Sequence, residues 1–126
     1  MDITPQVSAS LKIIQSYKGA GFRINGQIYE GAIIVCGDEV RPWPRRQEDN
    51  PLEISDALRA LVGQVDVVLI GMGRQSACIS PAIRSKFRGL GFSVDAMDTP
   101  AACRTYNVLT AEGRRVAAAL LPIVTV

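Results

Sequence analysis

Residues 97–107, MDTPAACRTYN, put a carboxylate, a hydroxyl, a thiol, a guanidinium, a phenol and an amide within one short stretch. Cys103 is a candidate nucleophile, because a nearby helix N-terminus and the adjacent Arg104 both favour a thiolate. The same letters also read as structure. Asp98 or Thr99 can cap a helix that Pro100 begins. Ala101, Ala102 and Cys103 are small residues suited to close packing against a sheet. Arg104 either binds an anion or pairs with Asp98. Tyr106 and Asn107 either contact a ligand or tie down the next turn. Glu112, Gly113 and Arg114 follow, and Arg114-Arg115 reads most simply as a solvated helix start.

The chain contains no histidine. That removes Ser-His-Asp and Cys-His nucleophile pairs and the common histidine-bearing metal sites. The acids are scattered, so no carboxylate pair suited to acid–base work stands out. No catalytic set, metal site or cofactor is expected.

A second candidate is the loop after VDVVLI. Gly71-Met72-Gly73-Arg74-Gln75 follows an apolar strand, as a dinucleotide fingerprint would. However, Ser76 stands where the third glycine belongs, and no G-K-[ST] occurs. Backbone N–H groups and Arg74 could hold an anion there; a tight turn needing small residues is the other account. A third candidate is Trp43, between Pro42 and Pro44 and followed by Arg45 and Arg46. It reads as a lid over a sheet edge, a protein-contact anchor or a base-stacking site.

Elements must position these groups. LKIIQSY (11–17), GFRING (21–26) and QIYEGAIIVCG (27–37) read as strands, with Asn25-Gly26 as a hairpin turn. EVRPW (39–43) returns after Gly37-Asp38 as an edge strand that its prolines end. RRQEDN (45–50) is a charged loop. Asn50, Pro51 and Glu53 predict a helix over 51–62, with an apolar face of Leu52, Ile54, Leu58, Leu61 and Val62. VDVVLI (65–70) predicts a strand buried on both faces. Ser80-Pro81 opens a second helix, closed by Gly89 and Gly91, and FSVDAM (92–97) is the next strand. This is a strand–helix–strand unit with parallel strands. Residues 100–110 then predict a third helix and AEGRRVAAALL a last one, ending at Pro122. The loops at 71–75 and 97–100 share the carboxyl edge of the sheet, where ligands usually bind in open α/β sheets.

The chain has 126 residues, 48% of them apolar, which suits one domain, residues 1–126, with one real core. A formal charge of +2 does not suggest a nucleic-acid binder. Cys36, Cys78 and Cys103 are far apart and form no C-x-x-C, which points to a reducing compartment. The opening MDITPQVSAS lacks the pattern of a targeting peptide. The longest apolar run, from Val116, is about nine residues, against about 20 for a membrane span. A soluble, cytoplasmic protein is expected, with membrane association only through a partner.

The phrases GFRINGQIYEGAIIV, RPWP, VLIGMG and MDTPAACRTYNVLTAEGRRVAAALLP, in this order and spacing, resemble a known domain family over residues 11–122. It is the small α/β family that includes mitochondrial complex I assembly factor 3 and the adipogenesis-associated domain protein of animals. The resemblance implies a three-layer α/β fold around a mixed sheet, with a β-rich first half. It also implies a role in assembling respiratory NADH:ubiquinone oxidoreductase, with a complex subunit or assembly protein as partner, in a bacterial cytoplasmic relative. It brings no catalytic residue. The matching positions are Gly71, Gly73, Asp98, Thr99, Cys103, Arg104, Tyr106, Asn107, Glu112, Gly113 and Arg114. Met72 and the segment RQSACISP depart from the family pattern.

The expectation is therefore a three-layer α/β domain with a mixed sheet, a β-rich N-terminal half and a βαβ unit followed by C-terminal helices. Two functions fit it. One is a non-enzymatic binding domain that assists assembly of a respiratory complex, with Trp43, Arg45 and Arg46 as partner surface. The other is an anionic-ligand site or enzyme at the carboxyl edge, using Arg74, Arg104 and Asp98 with Cys103.

Overall fold

A computed structural model describes residues 12–17, 21–46 and 49–123. The opening decapeptide, Leu11, and Gln47 and Glu48 of the charged loop lie outside the described residues. Asn25 and Gly26 turn the first hairpin with φ of 49° and 84°, the left-handed values that a two-residue hairpin turn needs. The turn joins β2 (Gly21–Ile24) to β3 (Gln27–Glu30), with Phe22 opposite Tyr29. β1 (Ile14–Ser16) pairs antiparallel with the other side of β2 and completes a three-stranded sheet. Ile14, Phe22 and Ile24 give this sheet one buried face.

The second sheet has five strands. β4 (Ile33–Cys36) is wholly buried, and β5 (Glu39–Pro42) pairs with it antiparallel at the sheet edge. Pro42, which cannot donate to a ladder, ends that edge strand as expected. β6 (Val67–Met72), α2 (Pro81–Gly89) and β7 (Ser93–Met97) form the predicted parallel unit. The Ser80 hydroxyl caps α2 by accepting from the Ile83 N–H at 3.2 Å. α3 (Thr99–Ala111) leads to β8 (Val116–Leu121), and the strand order is β5-β4-β8-β6-β7.

Two predicted helices are corrected. AEGRRVAAALL holds no final helix. Thr110 lies inside α3, Gly113 breaks the chain with φ of 82°, and residues 116–121 form β8. β8 is the central strand, antiparallel to β4 and parallel to β6. Alanines favour a helix locally, but here their smallness lets both covering layers approach the sheet, and tertiary context overrides propensity. The helix expected over 51–62 shrinks to α1 (Asp56–Arg59), capped by Ser55 rather than Asn50. The Asn50 side chain accepts from the Leu52 N–H at 3.0 Å and so makes a turn of its own. Four residues cannot sustain a helix alone. Leu58 and Leu61 hold this one by full burial, each contributing about 1.5–3 kcal/mol.

Residues alternate between the two faces of the five-stranded sheet. Ile34, Val68, Ile70, Ala117 and Ala119 meet Leu58, Leu61, Phe87 and Trp43 on one side. Ile33, Val35, Leu69, Ala118 and Leu120 meet Ala102, Cys103 and Tyr106 of α3, with Ile14, Phe22 and Ile24 of the small sheet, on the other. This is a three-layer, mixed α/β arrangement, as expected. α2 and α3 cover opposite faces because the crossovers β6-α2-β7 and β7-α3-β8 run in opposite directions across the sheet.

Candidate functional site

The loops after β6 and β7 leave toward opposite faces. In open α/β sheets a ligand crevice forms at such a point. Here Thr99 closes it. Its N–H donates to the Gly73 carbonyl at 2.8 Å, and its hydroxyl accepts from the Gly73 N–H at 2.8 Å. The same hydroxyl donates to the Leu121 carbonyl at 2.6 Å. One fully buried side chain thus ties together the β6 loop, the start of α3 and the end of β8.

Gly71 makes this approach possible. A Cβ there would stand 2.9 Å from the Leu120 side chain and from Thr99 Oγ1, and 3.1 Å from Thr99 Cα. Gly73 adopts φ of 70°, in the left-handed region that favours glycine. The two glycines therefore have a structural requirement that does not involve a ligand.

The rest of the stretch is similarly engaged. Asp98 Oδ1 accepts from the Ala101 N–H at 2.8 Å, so Asp98 is the N-cap of α3. Cys103 is 1% exposed. Burial, partly offset by Arg104, pushes its thiol up to about 12. It is neutral near pH 7, so its surroundings do not activate it as a nucleophile. Arg104 is exposed, and among the described residues it forms no ion pair with Asp98. Tyr106 is fully buried, and burial lifts its phenol to about 12 despite the neighbouring Thr110 hydroxyl and Gly37 backbone. Asn107 acts as a clamp. Its Oδ1 accepts from the Ile14 N–H at 3.0 Å and its Nδ2 donates to the Ile14 carbonyl at 2.8 Å. It thereby pins β1, and with it the small sheet, to α3.

On the opposite face of the same edge the structure assembles a different group. Trp43 is 4% exposed, so its indole is a buried lid and not a surface anchor. The Arg45 guanidinium lies over it, 4.9 Å from the ring centroid. Arg45, Arg46 and Arg74 line one open cleft of about 770 Å³. Its other walls include Ala32, Met72, Gln75, Leu121 and Pro122. Two candidates far apart in the chain thus share a site, whereas Arg104, Asp98 and Cys103 are not part of its lining. The register explains the meeting. Pro42 pairs with Ile33, Ile33 with Leu120, and Leu120 with Gly71. The end of β5 therefore lies level with the end of β6. That register becomes readable only once 116–121 is recognised as the intervening strand.

Among the described residues no cluster of His, Cys, Asp or Glu could hold a metal ion. Nor is any described helix long and apolar enough to cross a membrane.

The chain is similar to an uncharacterised protein of Rhodobacter capsulatus, at 39% identity over 87% of this chain and 84% of that protein. It is also 32% identical to NADH dehydrogenase [ubiquinone] 1 alpha subcomplex assembly factor 3 of Danio rerio, over 87% of this chain and 64% of that protein. The chain thus spans less than two thirds of that assembly factor's length. Among solved structures it resembles a Bordetella pertussis protein described as a Mth938-like domain. That match has a TM-score of 0.74 and 28% identity, and covers 98% of this chain and 94% of that one. A family model matches residues 14–121, from the first strand of the small sheet to the end of the central strand, and the chain belongs to that family, described as a protein of unknown function (DUF498/DUF598).

Proposed function

We propose that this chain is a non-enzymatic binding domain that assists assembly of respiratory NADH:ubiquinone oxidoreductase. The observation that carries the reading is its similarity, over nearly its whole length, to a named assembly factor of that complex. The site geometry supports a binding role over a catalytic one. Asp98 caps, Thr99 and Asn107 brace, and Cys103 is buried as a neutral thiol. The partner would be a subunit of the complex or another assembly protein.

The test is genetic and biochemical together. In a bacterium carrying the gene, deletion should lower the fully assembled complex on native gels, with subunits accumulating in smaller particles. The tagged chain should recover such a subunit or assembly protein from membranes or cytosol. Unchanged complex levels in the deletion strain, with no subunit recovered, would sink this reading.

A further inference from the structure

We infer that the cleft lined by Arg45, Arg46 and Arg74 binds a small organic phosphomonoester, with the phosphate on the arginines and the organic part against Met72 and Leu121. The inference goes beyond the assembly reading and does not depend on it.

Three cations line this cleft, and none makes an ion pair among the described residues. Among the described residues the acid beside them, Asp49, is already engaged. Asp49 Oδ2 accepts from the Arg46 backbone N–H at 2.7 Å. Its carbonyl, not its carboxylate, accepts from Arg45 Nη2 at 2.6 Å. Arg45 Nη1 is shut off from solvent and has no hydrogen-bond partner among the described residues. A buried guanidinium nitrogen without an acceptor is costly, so Arg45 gains if its fork turns toward an oxyanion held in the cleft. Burial lowers the pKa of Arg45, with Asp49 acting against the shift, so this cation too is helped by a further negative charge. The Trp43 ring centroid lies 4.9 Å from the guanidinium carbon, and this cation–π contact restrains the side chain, which limits the freedom lost when the fork is engaged.

Charge and size select the class. A phosphate monoester carries about −1.5 to −2 at pH 7 and offers three acceptor oxygens. A single carboxylate offers one charge and two oxygens, too few for three forks. The cleft volume of about 770 Å³ falls within the range usual for small-molecule sites. Met72 and Leu121, both half-buried, give it apolar walls. Inorganic phosphate would use the arginines and leave those walls uncovered.

The test is titration of the full chain with phenyl phosphate, inorganic phosphate and benzoate, followed by amide NMR and calorimetry. Phenyl phosphate should bind most tightly and benzoate least, with saturable shifts centred on Gly73, Arg74 and Gln75. The double variant R46Q/R74Q alters two exposed side chains, so its melting temperature should stay that of the parent. Its affinity for phenyl phosphate should fall by about tenfold or more, as loss of charge-assisted forks requires. R104Q, on the other face, should bind like the parent. Benzoate binding as tightly as phenyl phosphate would overturn the phosphate assignment. Undiminished binding by R46Q/R74Q, or the absence of saturable shifts, would overturn the site. An acidic peptide binding this cleft more tightly than phenyl phosphate would overturn the small-molecule assignment in favour of a protein partner.

Discussion

At the carboxyl edge of the five-stranded sheet, the α3 face and the α2 face use polar residues in opposite ways. On the α3 side Asp98, Thr99 and Asn107 are matched to backbone groups at close range, and the buried Tyr106 hydroxyl is the exception, with no hydrogen-bond partner among the described residues. Thr99 alone satisfies the Gly73 N–H and the Leu121 carbonyl. On the α2 side, Arg45, Arg46 and Arg74 line open space without carboxylate partners among the described residues. The residue types that look most reactive in sequence serve closure. The proposed ligand site lies where charges are left unmatched, since charged side chains held without partners are the groups an incoming ion can improve.

Substitutions can break this contrast. Thr99→Val keeps the shape but leaves the buried Gly73 N–H and the part-buried Leu121 carbonyl without the hydroxyl, so urea unfolding should show a loss of about 3 kcal/mol. A loss below about 1 kcal/mol would mean that water or a relaxed backbone replaces the hydroxyl. Gly71→Ala drives a methyl against Thr99 and Leu120, and the same measurement should show a loss of about 2 kcal/mol. Asn107→Leu releases both polar groups of Ile14. About 1–2 kcal/mol should be lost, with faster amide exchange across β1–β3 than across β6–β8. Uniform acceleration would show that the small sheet is not separately anchored. On the open side, R46Q/R74Q should change stability by less than about 0.5 kcal/mol, as for exposed residues with no ion pair among the described residues. A larger loss would mean that these arginines, too, hold the fold together.

Ionisation offers a finer probe of the closed side. Cys103 rises from 9.0 to about 12 on folding and Tyr106 from 10.0 to about 12. Below about pH 8 both groups are neutral in folded and unfolded chains alike. Between about pH 9 and 12 the unfolded chain loses its protons first, so stability falls as pH rises. Cys103→Ala should flatten that alkaline slope while leaving its shape at neutral pH unchanged. An unaltered slope would place the thiol in a wetter environment. In the native protein at neutral pH, a thiol reagent should label exposed Cys78 and spare buried Cys103.

Much of the fold is legible in local chemistry. Asn25-Gly26 specifies a hairpin because few other residues tolerate both left-handed positions. Ser80-Pro81 and Asp98-Thr99-Pro100 mark helix starts because a cap and a first-turn proline leave little alternative. Where local preference and long-range packing disagree, the reading fails. Ala117, Ala118 and Ala119 favour a helix in isolation and become a strand only because both faces of the sheet are covered. Leu52 and Ile54 fit a helical stripe, yet both pack on the core from a turn segment. In the candidate site, the caps and the inner position of Cys103 follow from spacing. The bridging role of Thr99 and the meeting of Arg45, Arg46 and Arg74 depend on strand register across β5, β4, β8 and β6, which no short window of sequence contains.

The central position of β8 also sets an order of events during synthesis. β4–β5 and β6–β7 can each form from chain that has already emerged, but neither pair can join the other. The strand between them is made after all four of these strands. Until residues 116–121 leave the ribosome, the inner sides of β4 and β6 are unpaired strand edges, rich in Ile, Val and Leu. Such edges are templates for wrong pairing. The nascent chain is therefore exposed to aggregation until β8 arrives, and a ribosome paused before that point would hold two preformed halves with an open slot between them.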